Sequence, residues 1–201
     1  MKIKSILNHY FFYNLYQDLI GAKKYLKRYV NDYVKSSERQ NILELGCGTG
    51  NLCAFLAKCD VNITGIDSSE NYINYAKKKY PEQKFICSDI TKPLELENTY
   101  NIVLAEAIIS AISDENVLKM LQNIKKCCND ETRIIFSDMN YSDSAPFFQK
   151  FLMKNERNKY CRPKEKYAEL ISEYFNIKTI SVMKDPYRIP YEKVIIECRV
   201  K

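Results

Sequence analysis

The sequence predicts an α/β fold: a three-layer sandwich on a seven-stranded, mostly parallel sheet with an antiparallel last strand. Three observations carry that expectation. Apolar runs of strand length alternate with apolar residues at helical spacing through residues 41–138, the pattern of a parallel sheet covered by helices on both faces. One strand-to-helix junction, Gly46-Cys47-Gly48-Thr49-Gly50, holds three of the chain's five glycines. The C-terminal end breaks the alternation with two consecutive strands, at residues 177–183 and 193–200, joined by a Pro-containing turn. That pairing predicts an antiparallel hairpin at one sheet edge.

Taken in order, residues 10–34 predict helix in two pieces, with Leu15, Leu19 and Ile20, then Ala22, Leu26, Val30 and Tyr33 at helical spacing and Gly21 at the break. A polar linker (35–40) precedes the first strand, 41–45. A helix at 51–58 follows the glycine turn, then a strand at 61–66 and a helix at 69–79, which Ser68 or Ser69 caps and Pro81 stops. Strands at 84–87 and 100–105 flank a loop with Pro93. The helix at 114–128 puts Val117, Leu118, Leu121 and Ile124 on one face, and the fifth strand is 132–138. A loop at 140–146 and helical patterns at 147–156 and 163–174 lead to the hairpin. No repeat and no long linker divides the 201 residues, so one domain is expected, with 1–38 as an N-terminal helical cap or lid and 140–165 as a cap insertion.

Composition is that of a water-soluble globular chain, 46% hydrophobic and 28% charged. No apolar stretch approaches the ~20 residues that span a bilayer. The basic N-terminus is interrupted by Asn8, His9, Tyr10 and Asp18, so no signal peptide and a cytoplasmic location are expected. The eight cysteines include no CxxC pair; they read as reduced thiols, not as a disulfide framework or a zinc site, and no metal is expected. The net charge is +6, with basic runs at Lys23-Lys24, Lys27-Arg28, Lys77-Lys78-Lys79 and residues 154–166. These read as solvated helix faces, with an anionic-substrate or nucleic-acid surface as the alternative.

Ligands of open α/β sheets sit at the carboxyl ends of the strands. Those ends carry Glu44 beside the glycines, then Asp67, Asp89 and Glu106. Asp67 lies about 20 residues past the glycines, the spacing at which a carboxylate accepts ribose hydroxyls. Asp89, one strand over, is placed to accept from an adenine amine. Together they describe a nucleoside site. The dinucleotide fingerprint G-x-G-x-x-G is not met, because Asn51 stands at its third glycine and Gly50 comes one residue early.

At these residues the chain resembles the class I S-adenosylmethionine-dependent methyltransferases. Glu44-Leu45-Gly46-Cys47-Gly48-Thr49-Gly50 is similar to their first motif, Gly65-Ile66-Asp67-Ser68-Ser69 to their ribose-binding motif, and Ser88-Asp89-Ile90 to their adenine-contacting motif. The resemblance extends over about residues 42–200. It implies S-adenosyl-L-methionine as cofactor, bound by Glu44, Gly46, Cys47, Gly48, Asp67, Ser68, Asp89, Ile90 and Glu106. The glycines would let the turn pass close to the methionine part, and a backbone amide or Glu44, directly or through water, would meet its amino group. Asp67 would hold the ribose, Asp89 and the Ile90 amide the adenine, and Glu106 or a nearby backbone carbonyl would lie near the amino group and sulfonium.

After the fourth strand the chain reads Leu104-Ala105-Glu106-Ala107-Ile108-Ile109, not an Asn-Pro-Pro-Tyr-like motif. That argues against the adenine and glutamine amino-methyltransferases that use it. The expected activity is methyl transfer to an O or N atom of a small-molecule acceptor. Methyl transfer to RNA or protein, supported only by the charge, and non-catalytic cofactor binding are the alternatives. The acceptor site is expected from the N-terminal aromatic segment and the 140–162 region, with Tyr13, Tyr16, Tyr141, Phe147, Tyr160 and Arg162 as candidates and Arg162 or Arg188 to hold an anionic acceptor. His9, the only histidine, reads as a packing or surface residue, and no catalytic base is assigned.

Overall fold

The structure, a computed structural model, describes residues 9–35, 39–56, 61–96, 100–141, 159–188 and 191–201. The helix expected at 147–156 and the candidate Phe147 lie outside the described residues.

Seven strands form one sheet in the order β3-β2-β1-β4-β5-β7-β6. They are β1 Gln40–Leu45, β2 Val61–Asp67, β3 Lys84–Cys87, β4 Ile102–Glu106, β5 Arg133–Met139, β6 Phe175–Lys184 and β7 Glu192–Val200. All neighbouring pairs from β3 to β5 are parallel, and β7 runs antiparallel to both β5 and β6. The middle strands are apolar on both faces because helices cover both. In β1 and β4 the buried run is continuous where a one-sided sheet would alternate.

On one face, α5 (Asp114–Lys125) and α6 (Lys164–Ser172) pack Val117, Met120, Leu121, Ile124, Tyr167, Leu170 and Ile171 over Leu43, Val103 and Ile134. On the other, α2 (Ala22–Tyr29), α3 (Cys53–Leu56) and α4 (Glu70–Lys79) pack Tyr25, Leu26, Tyr29, Cys53, Leu56, Ile73 and Ala76 over Ile42, Ile63, Ile102 and Ile195. That is the expected three-layer sandwich.

The N-terminal helix divides as expected. α1 (Tyr10–Ile20) ends at Gly21, which adopts a left-handed conformation (φ 81°) and sends its N–H back to Asp18 and Gln17. After α2 the last turn, Val30–Val34, widens to a π-helix, and Lys35 N donates to the Val30 carbonyl at 2.8 Å. α4 begins one residue later than expected, with Ser69 as its N-cap accepting from Tyr72 N. α3 starts at Cys53 and not at 51, because residues up to Leu52 are still in the glycine turn.

Strand order reverses between β1 and β4, each the neighbour of the other. This switch point is where a crevice opens above the sheet. The carboxyl ends that flank it are Leu45 with the glycine turn, and Glu106.

Candidate functional site

The turn after β1 is built from backbone geometry that glycine supplies. Gly46 and Gly48 sit at φ 67° and φ 55°, a region that costs an L-residue roughly 1–2 kcal/mol. A Cβ on Gly46 would also lie 2.2 Å from Ile108 Cδ1. The turn is pinned from three sides. Cys47 N donates to the Ile66 carbonyl at 3.0 Å, Gly48 N donates to Asp67 Oδ2 at 2.9 Å, and Thr49 Oγ1 donates to Asn14 Oδ1 of α1 at 2.7 Å. Tyr13, one residue earlier on α1, lies against Gly48, its hydroxyl 3.6 Å from where a Cβ would stand, and its ring meets that of Tyr72 in a tilted contact with centroids 5.1 Å apart. The N-terminal helix is thus seated directly on the glycine turn.

Asp67 closes β2 and shapes the turn. Its Oδ1 accepts from Ser69 N at 2.8 Å while Oδ2 accepts from Gly48 N. Ser68 beside it is exposed. Asp89 accepts from Thr91 N and Thr91 Oγ1, which hold its carboxyl below the usual range. Ile90 is buried, and its carbonyl accepts from Asn123 Nδ2. Cys47 is buried against Gly65, and burial, then Glu44 and Asp67, push its thiol far up. It is a packing residue and not a nucleophile.

Glu44 is the most informative acid. It is 4% exposed, and its Oε2 has no hydrogen-bond partner among the described residues. Burial, then the nearby Glu106 and Asp67, push its carboxyl well up. A buried carboxylate oxygen with no donor is costly, and a cationic amino group is the ligand feature that would satisfy it.

Glu106 closes β4 and forms an ion pair with Lys193 at the start of β7. The lysine side chain is 0% exposed and the glutamate 21%, so the cation is sealed in and the carboxylate opens on one side. The ammonium lies 5.0 Å from the Tyr25 ring centroid and 6.0 Å from that of Tyr187. Tyr25 in turn shares a 2.6 Å hydrogen bond with Ser137 Oγ. Burial, then Glu106, Tyr13, Tyr16 and Asp138, push the Tyr187 hydroxyl up, so these groups share one neighbourhood. Asp138 is buried and accepts from Ser110 N and Met139 N; burial pushes its carboxyl up and Lys193 opposes that. Just past Glu106, Ala107 holds a left-handed φ of 55° and donates to the Ser137 carbonyl at 2.7 Å, a strained position at the crevice edge.

The candidate acceptor residues separate into two groups. Tyr13 and Tyr16 both act on the Tyr187 hydroxyl electrostatically, and Tyr13 also lies against Gly48 of the glycine turn. Tyr141 and Tyr160 are tied by their backbone N–H groups to Arg162 O and Ser110 O. Arg162 corrects the expectation that it holds an anionic acceptor. It is 6% exposed, and its guanidinium donates to Asp114 twice and to the carbonyls of Ile109, Tyr160 and Ile112. All five donors are used inside the fold. Arg188 is exposed, and its Nη1 donates to the Leu19 carbonyl. His9 N-caps α1, its Nδ1 accepting from Phe11 N.

The sequence reading missed Lys193, Asn14, Tyr25 and Tyr187. Lys193 had one available signal: a lone lysine opening the apolar run Val194-Ile195-Ile196 of a buried strand. Among the described residues no group of three or more His, Cys, Asp and Glu could hold a metal, and no helix is long and apolar enough to cross a membrane.

Residues 42–131 match a family model described as a methyltransferase domain. The chain is 30% identical over 147 residues to the malonyl-[acyl-carrier protein] O-methyltransferase of Acetivibrio thermocellus, covering 63% of this chain and 52% of that protein. It is 27% identical over 110 residues to the ubiquinone biosynthesis O-methyltransferase of Coxiella burnetii, covering 53% and 46%. The chain therefore spans about half the length of the curated relatives it matches. A TehB-like SAM-dependent methyltransferase from Corynebacterium glutamicum shares the fold, with a TM-score of 0.62 at 16% identity over 88% of each chain.

Domain match, strand order and the glycine turn with its ring of acids together support one class, which the chain resembles: the class I S-adenosylmethionine-dependent methyltransferases. The cofactor of that class is S-adenosylmethionine, and the residues present fit it. The unpartnered Glu44 oxygen suits its amino group, and the left-handed Gly46 and Gly48 leave backbone bare where a side chain would intrude.

Proposed function

We propose that the chain methylates an oxygen or nitrogen atom of a small-molecule acceptor, with oxygen the better supported, held between the carboxyl end of β4 and the tyrosines of the N-terminal segment. The observation that carries this reading is the Glu106–Lys193 pair. It sets a fixed carboxylate, open on one side, at the strand end adjoining the glycine turn. The relatives support oxygen, since both carry O-methyltransferase in their names.

In this reading Glu44 binds the cofactor's amino group, Asp67 its ribose, and Asp89 with the Ile90 amide its adenine. The bound cofactor supplies a methyl group on a sulfonium, which is already electrophilic. What remains for the chain is alignment of the acceptor and exclusion of water. Tyr13 and Tyr16 of α1, with Tyr187, cover the crevice, so residues 1–38 act as the lid and the whole chain as one catalytic domain. Glu106, oriented by Lys193, takes the acceptor's hydroxyl proton. Tyr141 and Tyr160 form the outer wall.

Incubating the protein with methyl-tritiated cofactor and, separately, a small-molecule extract, RNA and denatured protein tests the acceptor class. Label is expected in the small-molecule fraction, and label confined to RNA or protein would overturn the proposal. Asp67→Ala is expected to weaken cofactor binding by roughly 2–3 kcal/mol, because it leaves ribose hydroxyls buried without an acceptor. Calorimetry showing unchanged affinity would remove the ribose assignment.

A further inference from the structure

Among the described residues, six large apolar side chains are exposed, and five of them lie on α1: Tyr10, Phe11, Phe12, Leu15 and Leu19; the sixth is Ile180. Phe11, Leu15 and Leu19 follow one another at i, i+4 and i+8, with Phe12 beside them, so they form one stripe along the helix. The opposite side of the same helix seats Tyr13 and Asn14 on the glycine turn and buries Ile20. α1 is therefore apolar on the side that packs inward and again on the side that faces water, which a helix serving only as a cover does not require.

The next helix supplies the complement. α2 buries Ala22, Tyr25, Leu26 and Tyr29, and the four remaining positions are Lys23, Lys24, Lys27 and Arg28, all exposed. Its whole outward face is cationic. Lys23 pairs with Asp18 and Arg28 with Asp32, while Lys24 and Lys27 have no ion-pair partner among the described residues. The cations begin four residues after Leu19, across the single residue Gly21.

We infer that the α1–α2 pair is a docking surface for an anionic lipid bilayer. An apolar helical stripe adjoining a cationic face is the arrangement that inserts side chains at the headgroup boundary while lysines meet acidic headgroups. A bilayer needs no shape-matched pocket, and the stripe offers a ridge of side chains and no pocket. The charge favours an acidic surface over a second copy of the chain, because two copies meeting through this face would bring eight cations together. Docking there engages the same helix whose other face covers the cofactor turn, so the crevice opens beside the membrane surface. This inference does not depend on which acceptor is methylated.

Sedimentation of the full chain with phosphatidylcholine vesicles, with and without phosphatidylglycerol, tests it. Binding is expected to the anionic vesicles, weak or none to the neutral ones, and to fall as salt rises. F11S/L15S is expected to reduce that binding at least tenfold, and K24E/K27E to erase the preference for anionic lipid. These side chains are exposed, so the melting temperature and cofactor affinity are expected to stay unchanged, which shows that each variant is folded. Absence of binding to anionic vesicles, or binding indifferent to both variants, would overturn the inference. So would a stable dimer in light scattering that F11S/L15S dissociates, since the occupant would then be a second copy.

Discussion

Glu44 states the tension in this site at the scale of one residue. Burial, then Glu106 and Asp67, hold its folded-state carboxyl above the unfolded value, so between those two values the folded chain binds a proton that the unfolded chain releases. The stability that Glu44 contributes to the cofactor-free protein is therefore fully present below the ordinary glutamate range and is lost as pH rises through that range toward the folded value. Asp138 acts with the same sign and Asp89 with the opposite one, so the Glu44 contribution must be isolated by substitution. Glu44→Gln removes the ionisation and keeps the shape. It is expected to stabilise the cofactor-free protein at neutral pH by about 1 kcal/mol, ~2–4 °C in melting temperature for a chain of this size, and to flatten the loss of stability with pH. If Glu44 binds the amino group as proposed, the same change is expected to weaken cofactor binding, because that group loses its carboxylate. Thermal melts across pH with and without cofactor check both; a variant that melts lower than the parent at neutral pH would show that Glu44 is already satisfied in the free protein.

At the scale of elements, the turn between β1 and α3 works because neighbouring segments grip it: β2 through Asp67, α1 through Asn14 and Tyr13, and the segment after β4 through Ile108. Gly46→Ala is expected to cost about 1–2 kcal/mol from its left-handed backbone and more from the collision with Ile108. Ile108→Ala in the same chain is expected to relieve the second part, so the double variant should be less destabilised than the two single costs together. Strict additivity in denaturant melts would mean that Ile108 swings aside at no cost. The strands and the glycine turn were legible in the sequence for a physical reason. Strands covered on both faces read as continuous apolar runs, and a left-handed turn leaves a cluster of glycines where the rest of the chain has almost none. The acids at the strand ends were legible by spacing. Lys193 was not, because its partner Glu106 lies 87 residues away. β7 enters the sheet in the reverse direction, so its first residues reach the end where the parallel strands finish. A reading along the chain places Lys193 with the hairpin and not with the crevice.

At the scale of the whole molecule, Arg162 marks the limit of residue-type reasoning. An arginine in a basic stretch reads as an anion site, but three backbone carbonyls and Asp114 fill its guanidinium. No local pattern announces a donor that serves carbonyls some fifty residues earlier in the chain. Its work is assembly. It joins the segment after β4 to the start of α5, while its own backbone pairs with the end of β5 through the Asn140–Arg162 bridge. The tyrosine-lined outer wall proposed for the acceptor site is built on those same segments. Arg162→Met keeps much of the apolar stem but leaves the carbonyls of Ile109, Tyr160 and Ile112 without this donor and Asp114 without its partner. The loss is expected to be about 3–5 kcal/mol, the range for breaking a buried pair by removing one partner. At ~2–4 °C per kcal/mol, the melting temperature falls by roughly 6 °C or more. Cofactor affinity, which the proposed reading assigns to Glu44 and Asp67 on β1 and β2, is expected to change far less than in Asp67→Ala. Melting and calorimetry on the two variants therefore separate a structural arginine from a ligand-binding one. An Arg162→Met protein with unchanged stability and lost acceptor binding would return Arg162 to the acceptor site.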